Sequence, residues 1–305
     1  MPATKDGVFG FNVIFGGFFS ATACKESIPL DVFVTPQQMV PVCHATLTAF
    51  RDYGARQNRQ KTRVMYLIEQ MGVEGFRAEL EKRMGCTLAT EGESMVDPKW
   101  ERRSYFGVNK QKDGDNFVGV CVPAGRLSPD DMLAVAHLAE AYGDGDIRLT
   151  VEQNLILSGV PDSNVDELLA QPILQTLHVN PGSLSAGLVS CPGSQFCGFG
   201  QIETKANAIE LTHKLEAALN IPPGVRIHWT GCPNSCGQAQ VADIGLLGTT
   251  TKTADGVVPA VEIFTGGRIG WDSHLADTYK SKVPVTDLLE ELSELLIANH
   301  GATRK

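Results

Sequence analysis

The same layout appears twice in this chain, once near each end. At the start, Val13-Ile14-Phe15-Gly16-Gly17 is followed by Ile28-Pro29-Leu30-Asp31 and a helical pattern through Phe50. At the end, Glu262-Ile263-Phe264-Thr265-Gly266-Gly267 is followed by Val283-Pro284-Val285-Thr286 and a helix through about His300. Each copy reads as a strand that runs into a Gly-Gly loop, crosses over, and resumes as a helix. The closing helix carries Leu288, Leu289, Leu292, Leu295 and Leu296 as one apolar stripe. An internal repeat governs how the whole fold is read. If the final unit ends with this layout, the opening segment is the end of an earlier unit, whose body is expected upstream of Met1.

Between the copies the pattern changes often. Residues 36–85 read as helical, with a basic run of Arg56, Arg59, Lys61 and Arg63 ahead of the apolar Val64–Ile68. Residues 86–105 are mixed and polar and read as a linker. A strand over Phe117–Val122 leads to Ser128-Pro129, which suits a helix N-cap followed by proline at the first helical position. Asp130 and Asp131 suit the positive end of that helix, and Gly143 suits its stop. Ile147–Thr150 and Leu155–Val160 read as paired strands, and Ala206–Leu219 as a helix. Further strands are expected near Val225–Trp229, Asp243–Leu247 and Val261–Thr265. The irregular alternation predicts an α+β fold, with mixed β-sheets flanked by helices.

At 305 residues the chain is long enough for two ordinary domains. Its 43% hydrophobic and 20% charged residues are the balance of a globular protein. A net charge of −9 argues against a general nucleic-acid binder. No apolar run approaches the roughly 20 residues that span a bilayer. The opening MPATKDGVFGFNVIFGG has neither the layout of a secretory signal nor that of a transit peptide.

Eight cysteines in a chain of this length do not make a disulfide scaffold. Cys24, Cys43, Cys86 and Cys121 are scattered and are expected to be small buried hydrophobes. The other four fall in two close pairs, Cys191-Pro-Gly-Ser-Gln-Phe-Cys197 and Cys232-Pro-Asn-Ser-Cys236, with five and three residues between the partners. Pro, Gly, Asn and Ser favour the turns that would fold each pair onto one centre. Gly193, Gly198, Gly231 and Gly237 let backbone approach a bulky group closely. Spacing alone leaves three readings open: a [4Fe–4S] cluster, structural zinc (although Cys-x5-Cys is wide for a zinc knuckle), and inert core cysteines.

The words around these cysteines carry a resemblance. Cys191-Pro-Gly-Ser-Gln-Phe-Cys197, Glu203-Thr204-Lys205 and Gly231-Cys232-Pro-Asn-Ser-Cys236 resemble the cluster signature of the assimilatory nitrite and sulfite reductases. Pro123-Ala-Gly-Arg-Leu127, Tyr142-Gly-Asp-Gly145 and Arg148-Leu-Thr-Val-Glu-Gln-Asn154 resemble that family's second ferredoxin-reductase-like half domain. The opening segment, with Arg51-Asp-Tyr-Gly54, is similar to the plant and algal ferredoxin-dependent nitrite reductases rather than to the sulfite reductases.

The resemblance implies a pseudo-two-fold duplicated enzyme that holds sirohaem beside a [4Fe–4S] cluster. It implies that Cys191, Cys197, Cys232 and Cys236 ligate the cluster, and that Cys236 is also the axial ligand of the sirohaem iron. Arg126, Arg148, Gln153 and Asn154 lie where the second half approaches the sirohaem. The implied reaction is six-electron reduction of nitrite to ammonium with reduced ferredoxin as donor, by a monomer. The compartment is the chloroplast stroma in a plant or alga and the cytoplasm in a cyanobacterium.

The implied organisation is the tail of the first repeat plus a helical connector over 1–92, the half domain over 93–175, and the cluster and sirohaem domain over 176–305. The family's substrate-facing Arg and Lys residues have no match here, so no catalytic residue is assigned and the chain is expected to be N-terminally truncated. Sulfite reduction and a non-catalytic cofactor-binding fragment are the competing functions.

An acidic ferredoxin needs a basic docking face. The candidates are Arg56, Arg59, Lys61 and Arg63, or Lys99, Arg102, Arg103, Lys110 and Lys112. The Gly266-Gly267-Arg268 loop reads equally as a cofactor contact and as a plain turn. His137, His178, His213 and His228 read as structural.

Overall fold

The computed structural model describes every residue except 21–22, 101–103, 255 and 271, and describes residue 60 by its backbone alone. Arg102 and Arg103 of the second basic patch therefore lie outside the described residues. The chain forms two compact units, Met1–Glu101 and Arg102–Lys305.

The first unit opens with a hairpin of β1 (Pro2–Lys5) and β2 (Val8–Phe15). Its two-residue loop, Asp6-Gly7, has both φ angles positive (51° and 77°), the backbone twist that a tight hairpin requires. β3 (Ile28–Val34) flanks β2, and a short β4 (Glu93–Ser94) flanks β1, giving an antiparallel sheet of order β3-β2-β1-β4. Helices α1 (Met39–Tyr53) and α2 (Val64–Met84) complete the unit. The core joins Leu30, Val32 and Val34 to Val42, Ala45 and Ala49 of α1 and to Leu67, Ile68, Phe76 and Leu80 of α2. The helical region expected over 36–85 is thus three helical segments, because Gly72 (φ 73°, ψ 160°) breaks α2. Asn12, buried in the sheet, closes the end of the unit by exchanging hydrogen bonds with Gly92 O (2.9 Å) and Gly92 N (2.8 Å).

In the second unit, β5 (Gly107–Lys110), β6 (Asn116–Val120), β7 (Ile147–Leu149) and β8 (Leu155–Val160) form an antiparallel sheet of order β5-β6-β8-β7. α3 (Pro129–Tyr142) and α4 (Asp162–Leu169) accompany it. Ser128 caps α3 as expected: its Oγ accepts from Asp131 N at 3.1 Å, while Asp131 Oδ2 accepts from Ser128 N at 3.0 Å.

A second sheet in this unit runs β9 (Leu188–Ser190), β10 (Ile227–Thr230), β11 (Ile244–Thr253), β12 (Gly256–Thr265), β13 (Asp277–Pro284). Its first three strands are parallel and the remaining pairs antiparallel, so this sheet is mixed. Helix α5 (Lys205–Ala218) connects β9 to β10, and α6 (Leu288–His300) closes the unit. Trp229, Ile227, Leu246 and Ile263 pack with Ala208 and Leu215 of α5 and with Leu288, Leu292, Leu295 and Leu296 of α6. Leu289 departs from the expected stripe. One helical step of about 100° carries it to the edge of the buried face, where it is exposed and lines a groove beside α5.

The two copies of the repeat fold alike. In each, a strand (β2 or β12) ends at a glycine with positive φ, Gly16 (95°) or Gly266 (81°). An antiparallel strand (β3 or β13) returns across an irregular register, and a 3-10 turn then leads into a helix (α1 or α6). Both return strands contain one non-glycine residue in the left-handed region, Asp31 (φ 51°) and Lys282 (φ 55°), each three residues before the valine that begins the matching Val-Thr step. None of the described helices is long and apolar enough to cross a membrane.

Candidate metal centre

Both cysteine loops leave the same end of the same pair of parallel strands. β9 and β10 pair in the register Ser190 to Trp229, and Cys191 N donates to Trp229 O at 3.0 Å. Cys191 thus follows the last residue of β9, while Thr230-Gly231 carries β10 into Cys232. The carboxyl ends of parallel strands are where open sheets of this kind hold ligands.

Backbone hydrogen bonds shape the loops. Cys197 N donates to Gly193 O at 2.9 Å, and Gly200 N donates to Cys197 O at 2.9 Å. Ser235 N donates to Cys232 O at 3.2 Å, with Ser235 in the left-handed region at φ 54°. Gln201 N reaches Gly231 O at 2.8 Å and ties one loop to the other. Gly193 has φ 71°, and a Cβ there would lie 2.6 Å from Thr204 Oγ1, so only glycine fits.

Cys191 and Cys232 are buried, Cys197 is half-buried and Cys236 is exposed. The Cys236 thiol is pushed up, first by burial and then by the charges of Cys191, Cys232 and Cys197. Cys236 therefore lies within reach of the charges of the other three cysteines. Such a donor set fits a cationic, thiophilic metal group. Among the described residues, no three His, Cys, Asp or Glu side chains surround a point that a single metal ion would occupy. Gly231 N already donates to Cys191 Sγ at 3.1 Å, the kind of N–H···S contact that iron–sulfur sites use.

The other sequence-assigned residues divide by environment. Gln153 bonds Ser190 twice, donating to its O at 2.8 Å and accepting from its N at 3.0 Å. Its own backbone is left-handed at φ 66°. Asn154 is buried. It accepts from Val122 N at 2.9 Å and donates to Tyr105 Oη at 3.1 Å and Glu152 O at 3.0 Å. Arg126 and Arg148 are exposed.

Two neighbours of the cysteines were not singled out from the sequence, although both stand in the quoted Glu-Thr-Lys triplet. Thr204 is fully buried and donates to Cys191 O at 2.6 Å. Lys205 is half-buried, and its Nζ donates to Ala124 O and to Ser190 O, the latter at 3.2 Å. Burial holds Lys205 below the usual lysine range; the Cys191 charge acts against that, and the Arg126 charge reinforces it.

Burial was expected of the scattered cysteines, and two correct that expectation. Cys121 is buried, its thiol pushed up to about 12 by desolvation, and Cys24 is half-buried. Cys43 and Cys86 are exposed. Cys43 lies on α1 outside the buried set of Val42, Ala45, Thr46 and Ala49, and Cys86 follows the Gly85 cap that ends α2.

Several basic-patch residues already have partners. Arg56 stacks over Phe50 at 4.6 Å and donates to Phe50 O and Gly54 O, both at 3.0 Å, at the end of α1. Arg63 lies over Phe18 at 5.2 Å. Lys110 pairs with Asp162 at 2.5 Å. Arg59, Lys61, Lys99 and Lys112 are exposed. In the Gly-Gly-Arg loop, Gly266 N donates to Asp243 O at 3.1 Å and the buried Arg226 donates to Gly267 O at 3.2 Å.

Fold and site together define a duplicated α+β protein with two cysteine-pair loops at the carboxyl end of a parallel strand pair. The chain belongs to the nitrite and sulphite reductase 4Fe-4S domain family, whose model matches residues 1–88 and 182–298, at both copies of the repeat. The nitrite/sulfite reductase ferredoxin-like half domain matches residues 109–173. The chain is 52% identical to the chloroplastic ferredoxin–nitrite reductase of Zea mays, over 99% of this chain and 54% of that protein. It is 48% identical to the ferredoxin–nitrite reductase of Synechococcus elongatus, over 99% of this chain and 59% of that protein. The structure of the NirA protein of Mycobacterium tuberculosis superposes with a TM-score of 0.88 at 29% identity, over 97% of this chain and 55% of that one. The chain thus spans about half the length of the curated relatives it matches.

Proposed function

We propose that this chain supplies the cluster- and sirohaem-holding part of a ferredoxin-dependent nitrite reductase. The observation that carries this reading is the meeting of four thiols, within reach of one another's charge, at the ends of β9 and β10 in a chain of this family. The names of the relatives favour nitrite as substrate and ferredoxin as donor. Cys191, Cys197, Cys232 and Cys236 would hold a [4Fe–4S] cluster. Cys236, the exposed thiol of the four, would also hold the iron of sirohaem.

When bound, these cofactors supply the one-electron relay and the iron at which nitrite takes up six electrons to become ammonium. The chain's own residues position them. Gln153 and Lys205 fix Ser190, hence the start of the first cysteine loop. Thr204 fixes the Cys191 carbonyl, and Asn154 secures the turn that presents Gln153. Arg126 and Arg148, exposed in the same unit, would serve the carboxylates of sirohaem. The protein would act as a monomer, in the chloroplast stroma or the cytoplasm according to its source.

The test is steady-state turnover with reduced ferredoxin, nitrite and sulfite being compared on the same cofactor-loaded preparation. Faster turnover of nitrite is expected. Faster turnover of sulfite would reassign the substrate, and fully loaded protein that turns over neither would make the chain a cofactor-binding fragment.

A further inference from the structure

Helix α5 begins directly behind the first cysteine loop, and its first residues surround Cys191 with an uneven charge distribution. Thr204, the cap residue, has its Oγ1 4.0 Å from Cys191 Sγ. Gly231 N donates to the same sulfur at 3.1 Å. The next residue, Lys205, has its ammonium held between two carbonyls from different segments, Ala124 O and Ser190 O. These two bonds hold the ammonium beside the start of the first cysteine loop. Arg126 stands close enough that the two cations repel, and Cys191 close enough to attract. The anion of the group is Glu203, whose carboxylate accepts from Gln195 N at 3.1 Å and Ala206 N at 3.4 Å. The Lys205 ammonium thus stands beside the Cys191 segment at the positive end of α5, with Arg126 and Glu203 within reach of its charge.

Resting on the cluster reading above, we propose that Lys205 is a positioning residue that fixes a positive charge against the Cys191 corner and so raises the reduction potential of the cluster. Reduction adds one electron to the cluster from the reduced donor and leaves the donor oxidised; no bond forms or breaks. The added electron makes an already anionic centre more negative. A fixed cation in a half-buried setting stabilises that reduced form more than the oxidised one, because solvent screens it weakly. Glu203 acts in the opposite sense from the other side of Thr204. Neither role is visible in the spacing of the cysteines, which gives the ligands but not the field around them.

The experiment is an anaerobic equilibrium redox titration of the full chain, followed by the electron paramagnetic resonance signal of the reduced cluster, for wild type, Lys205→Gln, Lys205→Arg and Glu203→Gln. Lys205→Gln removes the charge but keeps a donor for Ser190 O. Its potential is expected to fall by about 59 mV, a tenfold change in the one-electron equilibrium. Lys205→Arg is expected to restore the wild-type value. Glu203→Gln keeps an acceptor oxygen and is expected to move the potential upward, which tests the same field should Lys205→Gln fail to hold its cluster. Unchanged potentials in cluster-bearing Lys205→Gln and Glu203→Gln would overturn the inference and leave the cluster reading standing. A wild-type chain that carries no cluster would overturn both.

Discussion

Gln153 grips Ser190 from both sides, donating to its carbonyl at 2.8 Å and accepting from its N–H at 3.0 Å. Ser190 ends β9, and the next residue is Cys191. Gln153 belongs to the turn between β7 and β8, in the segment that matches the ferredoxin-like half domain. A left-handed turn residue in one sheet therefore sets where the first cysteine of another begins. Gln153→Ala removes both bonds and leaves Ser190 N unpaired, while Ser190 O keeps Lys205 Nζ as a donor, and is expected to destabilise the second unit by about 1–2 kcal/mol. Urea unfolding checks the magnitude. Iron content per folded chain is expected to fall with it, because Cys191 loses its register.

Asp31 and Lys282 occupy equivalent left-handed positions, yet substitution is expected to act on them with opposite sign. A left-handed backbone costs an ordinary residue about 1 kcal/mol, which glycine avoids. Lys282 is exposed, and Lys282→Gly is expected to be neutral or to stabilise by up to about 1 kcal/mol. Asp31 uses its carboxylate to accept from Glu91 N at 3.0 Å and from Arg77 Nη1 at 3.1 Å. Asp31→Gly loses both and is expected to cost about 1–2 kcal/mol. Paired thermal melts of the two variants read the sign directly.

Two glycines give a second contrast. Gly193→Ala places a Cβ 2.6 Å from Thr204 Oγ1 and 2.7 Å from Thr204 N at φ 71°, against a residue that is fully buried. It is expected to cost at least about 2 kcal/mol and to disturb the first cysteine loop. Gly75, inside α2, meets only Met71 Cβ at 3.6 Å, and Gly75→Ala is expected to stabilise by about 0.4–1 kcal/mol. Denaturant midpoints of the two variants should therefore move in opposite directions.

His300 gives the second unit a pH dependence. Burial holds its imidazole below the usual value of 6.5, with the Asp243 carboxylate acting weakly against that. The unfolded chain therefore takes up this proton before the folded chain does. The contribution is present above pH 6.5 and is lost as the pH falls through and below it. His300→Gln, neutral throughout, is expected to lose less stability than wild type between neutral and mildly acidic pH. Unfolding free energies of both proteins on each side of pH 6.5 measure the difference.

Much of this architecture was legible because its determinants are local. Ser128-Pro129 and Gly143 mark α3 through cap chemistry, and the leucine stripe marks α6 through helical period. The Gly-Gly repeat was readable because each copy needs a positive-φ glycine after its strand. The short strands were not: β1, β4 and β13 carry weak alternation and are defined by the partners they find. At the site, the cysteines stood out by spacing and composition. Gln153 and Asn154 were singled out for the cofactor, whereas their bonds to Ser190, Val122 and Tyr105 depend on contacts between segments that are distant in sequence. Lys205 escaped notice for the same reason, since its neighbourhood is assembled from Ala124, Ser190 and Cys191. Cys43 and Cys86 were assigned to the interior on residue type alone, which does not say which side of a helix or cap faces out.

The most direct test of the four-thiol centre is the quantification of iron, acid-labile sulfide and zinc on anaerobically purified chain, with an absorption spectrum of the same sample. The expected result is about four irons and four sulfides from the cluster, with one further iron and the bands of sirohaem when both cofactors are in place. Serine at any one of Cys191, Cys197, Cys232 or Cys236 should abolish the cluster, while serine at Cys43 or Cys86 should leave it intact. One zinc per chain with no labile sulfide would contradict the assignment, as would a cluster that survives serine at two of the four positions.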